Sequence, residues 1–370
     1  MGMNRVKIAG TGTYLPGKPI RFDEIDSYLG ELNQAPPKIR KWLERMKKLM
    51  REMLDVDQYY FAIDPHTRQY TDDNITMAVR ASEKAIEQAG MNKEDIEYIA
   101  YGSPHQDQMP TASVRIQEAL GIAHCGEMSI HANCTSAYKA LLTAYELVGS
   151  GRYTNALIVS SNIPSSELRS DYYNPNQIKK EELFLRYFLS DGAGALVVRK
   201  ANAREEGFIL DNVYIESVGG KKPPAMYNKR PAYWMNPLRE YEQGAHHLAQ
   251  IFNDQLRQHF NEPGGSIFYK GLQRMIEKYS IPVEQVRHFQ INFPSKHIAE
   301  MISEECELLG ISKEKIYTRL SSMGYNGPPM AFICLDQIIR EENLEKGDII
   351  LSFVTEVSKF MQAGFTIRKQ

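Results

Sequence analysis

Apolar and polar positions along the chain alternate between two periods. "VKIAGTGTYL" near the start reads as a strand, and "NITMAVRASEKAIEQAG" repeats its apolar residues at helical spacing, with Asn74 as cap and Gly90 as stop. "IEYIAYGS" then reads as a strand and "TASVRIQEALG" as a helix. After them comes "SIHANCTSAYKALLTAYELVGSG" (129–151), an apolar strand running through Cys134 into a helix, and "NALIVSSN" follows as a buried strand. Strand and helix in turn predict an α/β protein whose helices cover its sheets.

The order of elements repeats. "CTSAYKALLTAYELVGSGRYTNALIVSS" from Cys134 can be laid on "NGPPMAFICLDQIIREENLEKGDIILSF" from Asn326, and Cys134 to Ile158 and Asn326 to Ile350 each span 24 residues without a gap. "VRHFQINFPSKHIAEMI" likewise mirrors "IEYIAYGSPHQDQMPTASVRI", and "FILDNVYIESVGG" opens a second half much as "VKIAGTGTYL" opens the first. The chain therefore divides into two related halves, 1–203 and 204–370, with the polar "RKANAREEG" at the boundary. Packed about a pseudo-twofold, the halves would bring Cys134 and Asn326 together, each at a helix start. A helix N-terminus lowers a thiol's pKa and can stabilise an oxyanion. Cys134 thus reads either as a nucleophile or as a buried structural cysteine, the commonest fate of a free thiol, and the duplication favours the nucleophile.

Composition removes several classes. The chain has 370 residues, 42% of them hydrophobic, a net charge of −2 and a pI near 6.5, which makes no bulk electrostatic case for nucleic acid or membrane. No apolar run approaches a bilayer span, the first residues show no signal-peptide core, and Val6 breaks the myristoylation pattern. Cysteines 125, 134, 306 and 334 lack metal-ligand spacing, so reduced thiols in a cytoplasm are the expectation.

"HANCTSAYKAL", "LSDGAGALVV" (189–198) and "MGYNGPPMAFICLDQ" together resemble the thiolase-fold condensing enzymes, specifically the β-ketoacyl-acyl-carrier-protein synthase III family. The resemblance covers nearly the whole chain and implies a thiolase-like fold, two duplicated α/β halves in five αβαβα layers. It implies an acyltransferase that loads an acyl group from acyl-CoA or an acyl carrier protein onto Cys134. The group then passes to a second thioester or another nucleophile, in fatty-acid-like or polyketide specialised metabolism. It also implies a homodimer and no cofactor, with coenzyme A or phosphopantetheine thioesters as substrates. The glycines of "DGAGA" read as a tight turn beside the sheet.

By position, Asn326 resembles the family's asparagine, which hydrogen-bonds the thioester carbonyl or enolate. The family's histidine position holds Asn292, whose amide can hydrogen-bond but not exchange a proton near neutral pH. His105 in "GSPHQDQMP" and His297 are the candidates to replace it, while His131 reads as a core histidine. Met109 matches the segment that crosses the family's dimer into the partner's acyl pocket. Ser358, with Lys359 and Phe360, stands where the family carries a glycine-rich oxyanion loop. Substrate-binding positions are thus Met109, His105 and Ser358.

Two stretches stay open. "KIRKWLERMKKLMRE" (38–52) is a basic amphipathic helix, either packed with a solvated face or docking an acidic carrier or a coenzyme A phosphate. The Pro- and Tyr-rich 219–248 reads as a long loop that covers a pocket mouth or packs on the surface. The rival from another class is a non-catalytic or weakly catalytic subunit that partners an active homologue.

Overall fold

A computed structural model of the chain describes residues 4–370 except 55, 106–107, 177, 179, 229–234, 237, 239–241, 243–248, 252 and 292–295; at 227–228, 249–250 and 296–297 only the backbone is described. The first half supplies β1 (Val6–Tyr14), β2 (Tyr98–Ser103), β3 (Gly126–His131), β4 (Asn155–Asn162) and β5 (Gly192–Lys200). From the second come β6 (Phe208–Ser217), the short β7 (Met226–Asn228) and β8 (Ala249–Ile251), β9 (Val286–Gln290), β10 (Ile316–Tyr317), β11 (Ile349–Glu356) and β12 (Met361–Lys369).

Ten of these strands form one sheet in the order β10-β9-β11-β12-β6-β1-β5-β4-β2-β3. Reading outward from the β1–β6 seam, each side runs antiparallel, antiparallel, parallel, parallel. The repeat seen along the sequence is therefore a repeat of strand order and direction.

The helices that fill the layers are α1 (Pro37–Leu54), α2 (Asn74–Gln88), α3 (Ala112–Leu120), α4 (Ser136–Gly149), α5 (Asn253–Phe260), α6 (Ile267–Tyr279), α7 (Lys296–Leu308) and α8 (Met330–Glu341). α4 packs on β2 and β4 and reaches β6 and β12 of the other half; α8 packs on β5 and β1 and touches β9. These two helices are the inner layer, and their Ala137, Leu141, Ala144, Phe332, Leu335 and Ile338 share one core with strands from both sides. α2 and α3 cover the outer face of the first half, and α6 and α7 that of the second. The five αβαβα layers are thus present.

Local chemistry departs from the sequence reading in places. The cap of α2 is Asp73 rather than Asn74: its carboxylate accepts from the Ile75 and Thr76 N–H groups, and the Thr76 hydroxyl accepts from the Asp73 N–H. Asn74 is buried instead and donates to the Tyr101 and Ser103 hydroxyls. "DGAGA" is not a turn, because Gly192 and Gly194 lie inside β5. A Cβ at Gly192 would come within 2.9 Å of the Asn326 Nδ2, so glycine here lets the start of α8 press on the sheet. The strand before Cys134, β3, is the sheet's edge, with Glu127, Met128 and His131 exposed.

The apolar face of α1 (Trp42, Met46, Met50) joins a core with Phe61, Leu183 and Phe188. On its basic face Lys47 and Arg51 pair with Asp26 and Asp23. Within 219–248, β7 pairs antiparallel with β8, which follows the stretch, and His246 and His247 lie outside the described residues. Among the described residues no helix is long and apolar enough to cross a membrane.

Candidate active site

Cys134 occupies the turn between β3 and α4. The helix can begin so close to the sheet because residue 102 of β2 is glycine: a Cβ there would lie 2.2 Å from the Ser136 carbonyl oxygen. Thr135, fully buried, is the N-cap of α4. The Cys134 sulfur faces a cavity of about 1550 Å³, larger than the roughly 300–1,000 Å³ of an ordinary small-molecule pocket. Its walls are mostly apolar. α1 contributes Trp42, Met46, Leu49, Met50 and Met53, and the segment before β5 contributes Phe184 and Phe188. Basic groups, Lys139, Lys180 and Arg257, also reach it.

Two side chains define the thiol's surroundings. The Tyr325 hydroxyl lies 3.4 Å from the Cys134 Sγ, within hydrogen-bonding distance for sulfur. Its ring stacks on Phe188 at 4.6 Å between centroids, and the Tyr325 carbonyl accepts from the Ser190 N–H, so ring and backbone are both fixed. On the other side stands Glu356, the last residue of β11, which is 5% exposed. One of its oxygens accepts from the Thr135 N–H at 2.9 Å and from the Thr135 hydroxyl at 2.6 Å; the other accepts from the Ser358 hydroxyl.

This arrangement reverses one expectation. The helix N-terminus was to lower the thiol's pKa, but the Thr135 N–H is given to Glu356. Burial pushes the Cys134 thiol up to about 12, the Glu356 charge adds to the rise, and only the Tyr325 hydrogen bond and a backbone contact oppose it. The resting residue is a neutral thiol. Burial, with the neighbouring Cys134, also drives the Tyr325 phenol well above its ordinary range, which keeps it a donor.

The cavity brings together Cys134, His105, His131 and Ser358. His131 is exposed on the β3 edge rather than buried in the core. Met109 is 97% exposed and is not part of the cavity wall within this chain. Asn326 is fully buried; its Nδ2 donates to the Asp191 carbonyl at 2.8 Å, and its neighbours Tyr325 and Gly327, not its own side chain, line the cavity. Asn292 lies outside the described residues, as does the side chain of His297. Among the described residues no cluster of His, Cys, Asp or Glu could hold a metal ion.

Tyr325 and Glu356 are the two site residues the sequence reading passed over. Strand alternation points to Glu356: in "IILSFVTE", Ile350, Ser352, Val354 and Glu356 share a face, and Ser352 on that face meets the Tyr138 hydroxyl of α4. Tyr325 gives no such signal beyond standing next to Asn326.

Ser358 through Phe360 turn the chain from β11 into β12. Phe360 holds φ at +57°, a left-handed conformation that suits glycine, and is kept there by complete burial against Ala225, Ile267 and the His259 ring. Side chains therefore fill the place where the resemblance implies open backbone.

Comparison with known proteins agrees with this geometry. The family model described as 3-oxoacyl-[acyl-carrier-protein (ACP)] synthase III matches residues 128–217, the segment from β3 through β6 that includes Cys134. The β-ketoacyl-[acyl-carrier-protein] synthase III of Clostridium perfringens strain SM101 is 25% identical over 350 residues, 94% of this chain and 95% of that protein. Two solved structures superpose over nearly the full length. A tetronic acid condensing enzyme gives a TM-score of 0.76 at 18% identity over 98% of this chain and 99% of its own. The 3-oxoacyl-[acyl-carrier-protein] synthase III of Aquifex aeolicus gives 0.71 at 17% over the same shares. With a cysteine at the start of a buried inner helix, duplicated halves about one seam and relatives that match it over nearly their full length, the chain is an acyltransferase with the thiolase-like fold, similar throughout to the β-ketoacyl-acyl-carrier-protein synthase III enzymes.

Proposed function

We propose that Cys134 accepts an acyl group from an acyl-CoA or acyl-carrier-protein thioester and passes it to a second thioester or another nucleophile. One observation carries this reading: the thiol opens on a large, mostly apolar cavity from the start of a buried helix. The volume and the α1 wall favour a long apolar acyl chain over acetate, since each methylene buried there stabilises the complex by about 0.8 kcal/mol. Met-rich walls suit chains of more than one length. The reaction calls for no bound cofactor, because the thioester itself supplies the activated acyl group.

With Asn292 in place of a histidine, decarboxylation of a malonyl thioester is slow, and an acceptor that brings its own acidic carbon or nucleophile is favoured. That fits fatty-acid-like or polyketide specialised metabolism better than initiation of fatty-acid synthesis. Among the described strands β3 is the last in the sheet, an edge that a second copy can extend, which supports a homodimer and gives Met109 a route to a partner's cavity.

Incubation with acetyl-, octanoyl- and palmitoyl-CoA, followed by intact-mass measurement and mapping of residues 129–151, tests the reading. A stable acyl adduct on Cys134 supports it. A second reading, a non-catalytic subunit partnering an active homologue, is favoured by the neutral resting thiol, and absence of any adduct would establish it.

A further inference from the structure

Glu356 is a buried carboxylate held by neutral donors. Among the described residues its oxygens accept from the Thr135 N–H, the Thr135 hydroxyl and the Ser358 hydroxyl, and no Lys, Arg or His pairs with it. Burying a carboxylate without a cation is costly, and such groups concentrate where chemistry needs them. This one lines the same cavity as Cys134 and is anchored on the very next residue. It also stands two residues before the turn where the family resemblance implies glycines, in a chain whose imidazole position is Asn292. The acceptor that the resemblance implies at 292 is an amide here, and Glu356 is a carboxylate in a cavity that His105 and His131 also line.

We propose that Glu356 is the general base of the acylation step, a role that rests on the reading of Cys134 as the acyl acceptor. As the Cys134 sulfur bonds to the thioester carbonyl carbon, the thiol proton passes to the Glu356 carboxylate. As the carbon–sulfur bond of the donor breaks, Glu356 returns that proton to the departing thiolate. Nothing is oxidised or reduced, and the carboxylate ends as it began. Tyr325 keeps its proton throughout and donates to the sulfur as negative charge gathers there. Cys134 and Tyr325 are the titratable groups whose charges couple to Glu356, and His105, His131, Lys139 and Arg257 line the same cavity.

A base and a bystander charge predict opposite signs. A negative charge beside a thiol holds the proton on, so removing a mere bystander makes Cys134 more reactive. Removing a base makes it less reactive. Glu356→Gln keeps the size and the oxygen that accepts from Thr135 but cannot take a proton. The rates of Cys134 alkylation by iodoacetamide and of acylation by octanoyl- and palmitoyl-CoA are measured by intact mass from pH 5 to 10.

The native protein should show a plateau, because removal of the proton by a base does not track the thiol's own titration. Glu356→Gln should be slower by roughly 10²–10⁴-fold at pH 7 and climb about tenfold per pH unit without a plateau. Glu356→Asp should keep the plateau, and it carries the test alone if the glutamine variant does not fold. Equal or faster reaction of Glu356→Gln, or a plateau unaltered by it, would overturn the proposal, as would loss of the plateau in Glu356→Asp. Alkylation asks only about the proton. A protein that alkylates as expected but takes no acyl group keeps its base and loses the acyl-transfer reading; one that loads acyl groups at an undiminished rate in Glu356→Gln does the reverse.

Discussion

The two inner helices begin in matched places and do unlike things. α4 starts at Thr135, whose hydroxyl and N–H are both turned to a carboxylate beside an open cavity. α8 starts after "NGPP", with Pro329 as its N-cap and Pro328 before it, so two of the groups there have no N–H to offer. The loop before α8 is closed by contacts of its own. The Asn326 amide donates to the Asp191 carbonyl, and the Asn326 carbonyl accepts from the Asn162 side chain at 2.9 Å. Duplication supplied a frame with two equivalent helix starts, and the sequence opened one and sealed the other. What the second half hands to the thiol is the Tyr325 phenol.

The sharpest way to break this comparison is at the open end. Cys134→Ser should abolish acyl loading while leaving the melting temperature within a few degrees, because serine replaces a part-buried thiol at a turn. Residual adduct on Cys125, Cys306 or Cys334 in that variant would remove Cys134 from its role.

The sealed end makes the next largest claim, and it concerns pH. Asp191 is fully buried; its oxygens accept from the Ala62 and Ser165 N–H groups and from the Ser165 hydroxyl. Burial outweighs these bonds and pushes its carboxyl from 3.8 up to about 6. The folded protein then holds this proton more tightly than the unfolded chain does. The stabilisation is full below about pH 3.8 and is lost as pH rises through about 6, a span worth about 3 kcal/mol. Urea unfolding of the native protein and Asp191→Asn at pH 4 and pH 7 reads it directly. The native protein's stability relative to the variant should fall by most of that amount, about 2.4 kcal/mol, between the two pH values. A difference that stays constant would show that Asp191 does not titrate in this range.

How far the sequence exposed this asymmetry depends on which physical signal each part emits. Period and order are written along the chain, so the strands, the inner helices and the duplication were legible from "CTSAYKALL" and "NGPPMAFICL" alone. Cys134 was legible because a strand-to-helix turn is a local pattern. Glu356 and Tyr325 were not, because their roles arise where β11 and the loop before α8 meet the turn at Cys134, contacts more than 190 residues apart in sequence. The pKa of the thiol followed the same division. A helix N-terminus is a local feature and predicts a lowered value, whereas burial by distant segments, added to by a carboxylate that arrives from a distant strand, reverses the sign. The apolar face of α1 was plain from its spacing, but that it walls the cavity was not, since spacing shows that a face is covered and not what covers it.

Asn326 tests the sealed end a second way. Asn326→Ala removes the donor to the Asp191 carbonyl and leaves that buried oxygen unpaired, which should cost about 1–3 kcal/mol in urea unfolding. An asparagine that served only the substrate would instead leave stability unchanged and lower turnover, so the two measurements together assign its part. Gly192→Ala should destabilise through the same contact by forcing a Cβ against the amide.

The smallest effect lies at the junction of the two ends. Tyr325→Phe deletes one hydroxyl and keeps the ring on Phe188, so the stack and the Ser190 backbone bond survive and the melting temperature should hardly move. What is lost is the hydrogen bond at the Cys134 sulfur, the contact that works against burial and the Glu356 charge. The thiol's pKa therefore rises further, and less charge can gather on sulfur as it attacks. A hydrogen bond worth about 1.4 kcal/mol in that state corresponds to about a tenfold slower acylation and alkylation at every pH below the thiol's own titration. The shape of the pH profile should stay that of the native protein, because Tyr325 stays protonated and moves no proton. A tyrosine that only packs would leave the rate unchanged, and one that relays the proton would change the profile's shape as well as its height. Rate, stability and profile shape thus separate the three roles, and only a uniform drop with native stability fits a phenol lent by the sealed half to the open one.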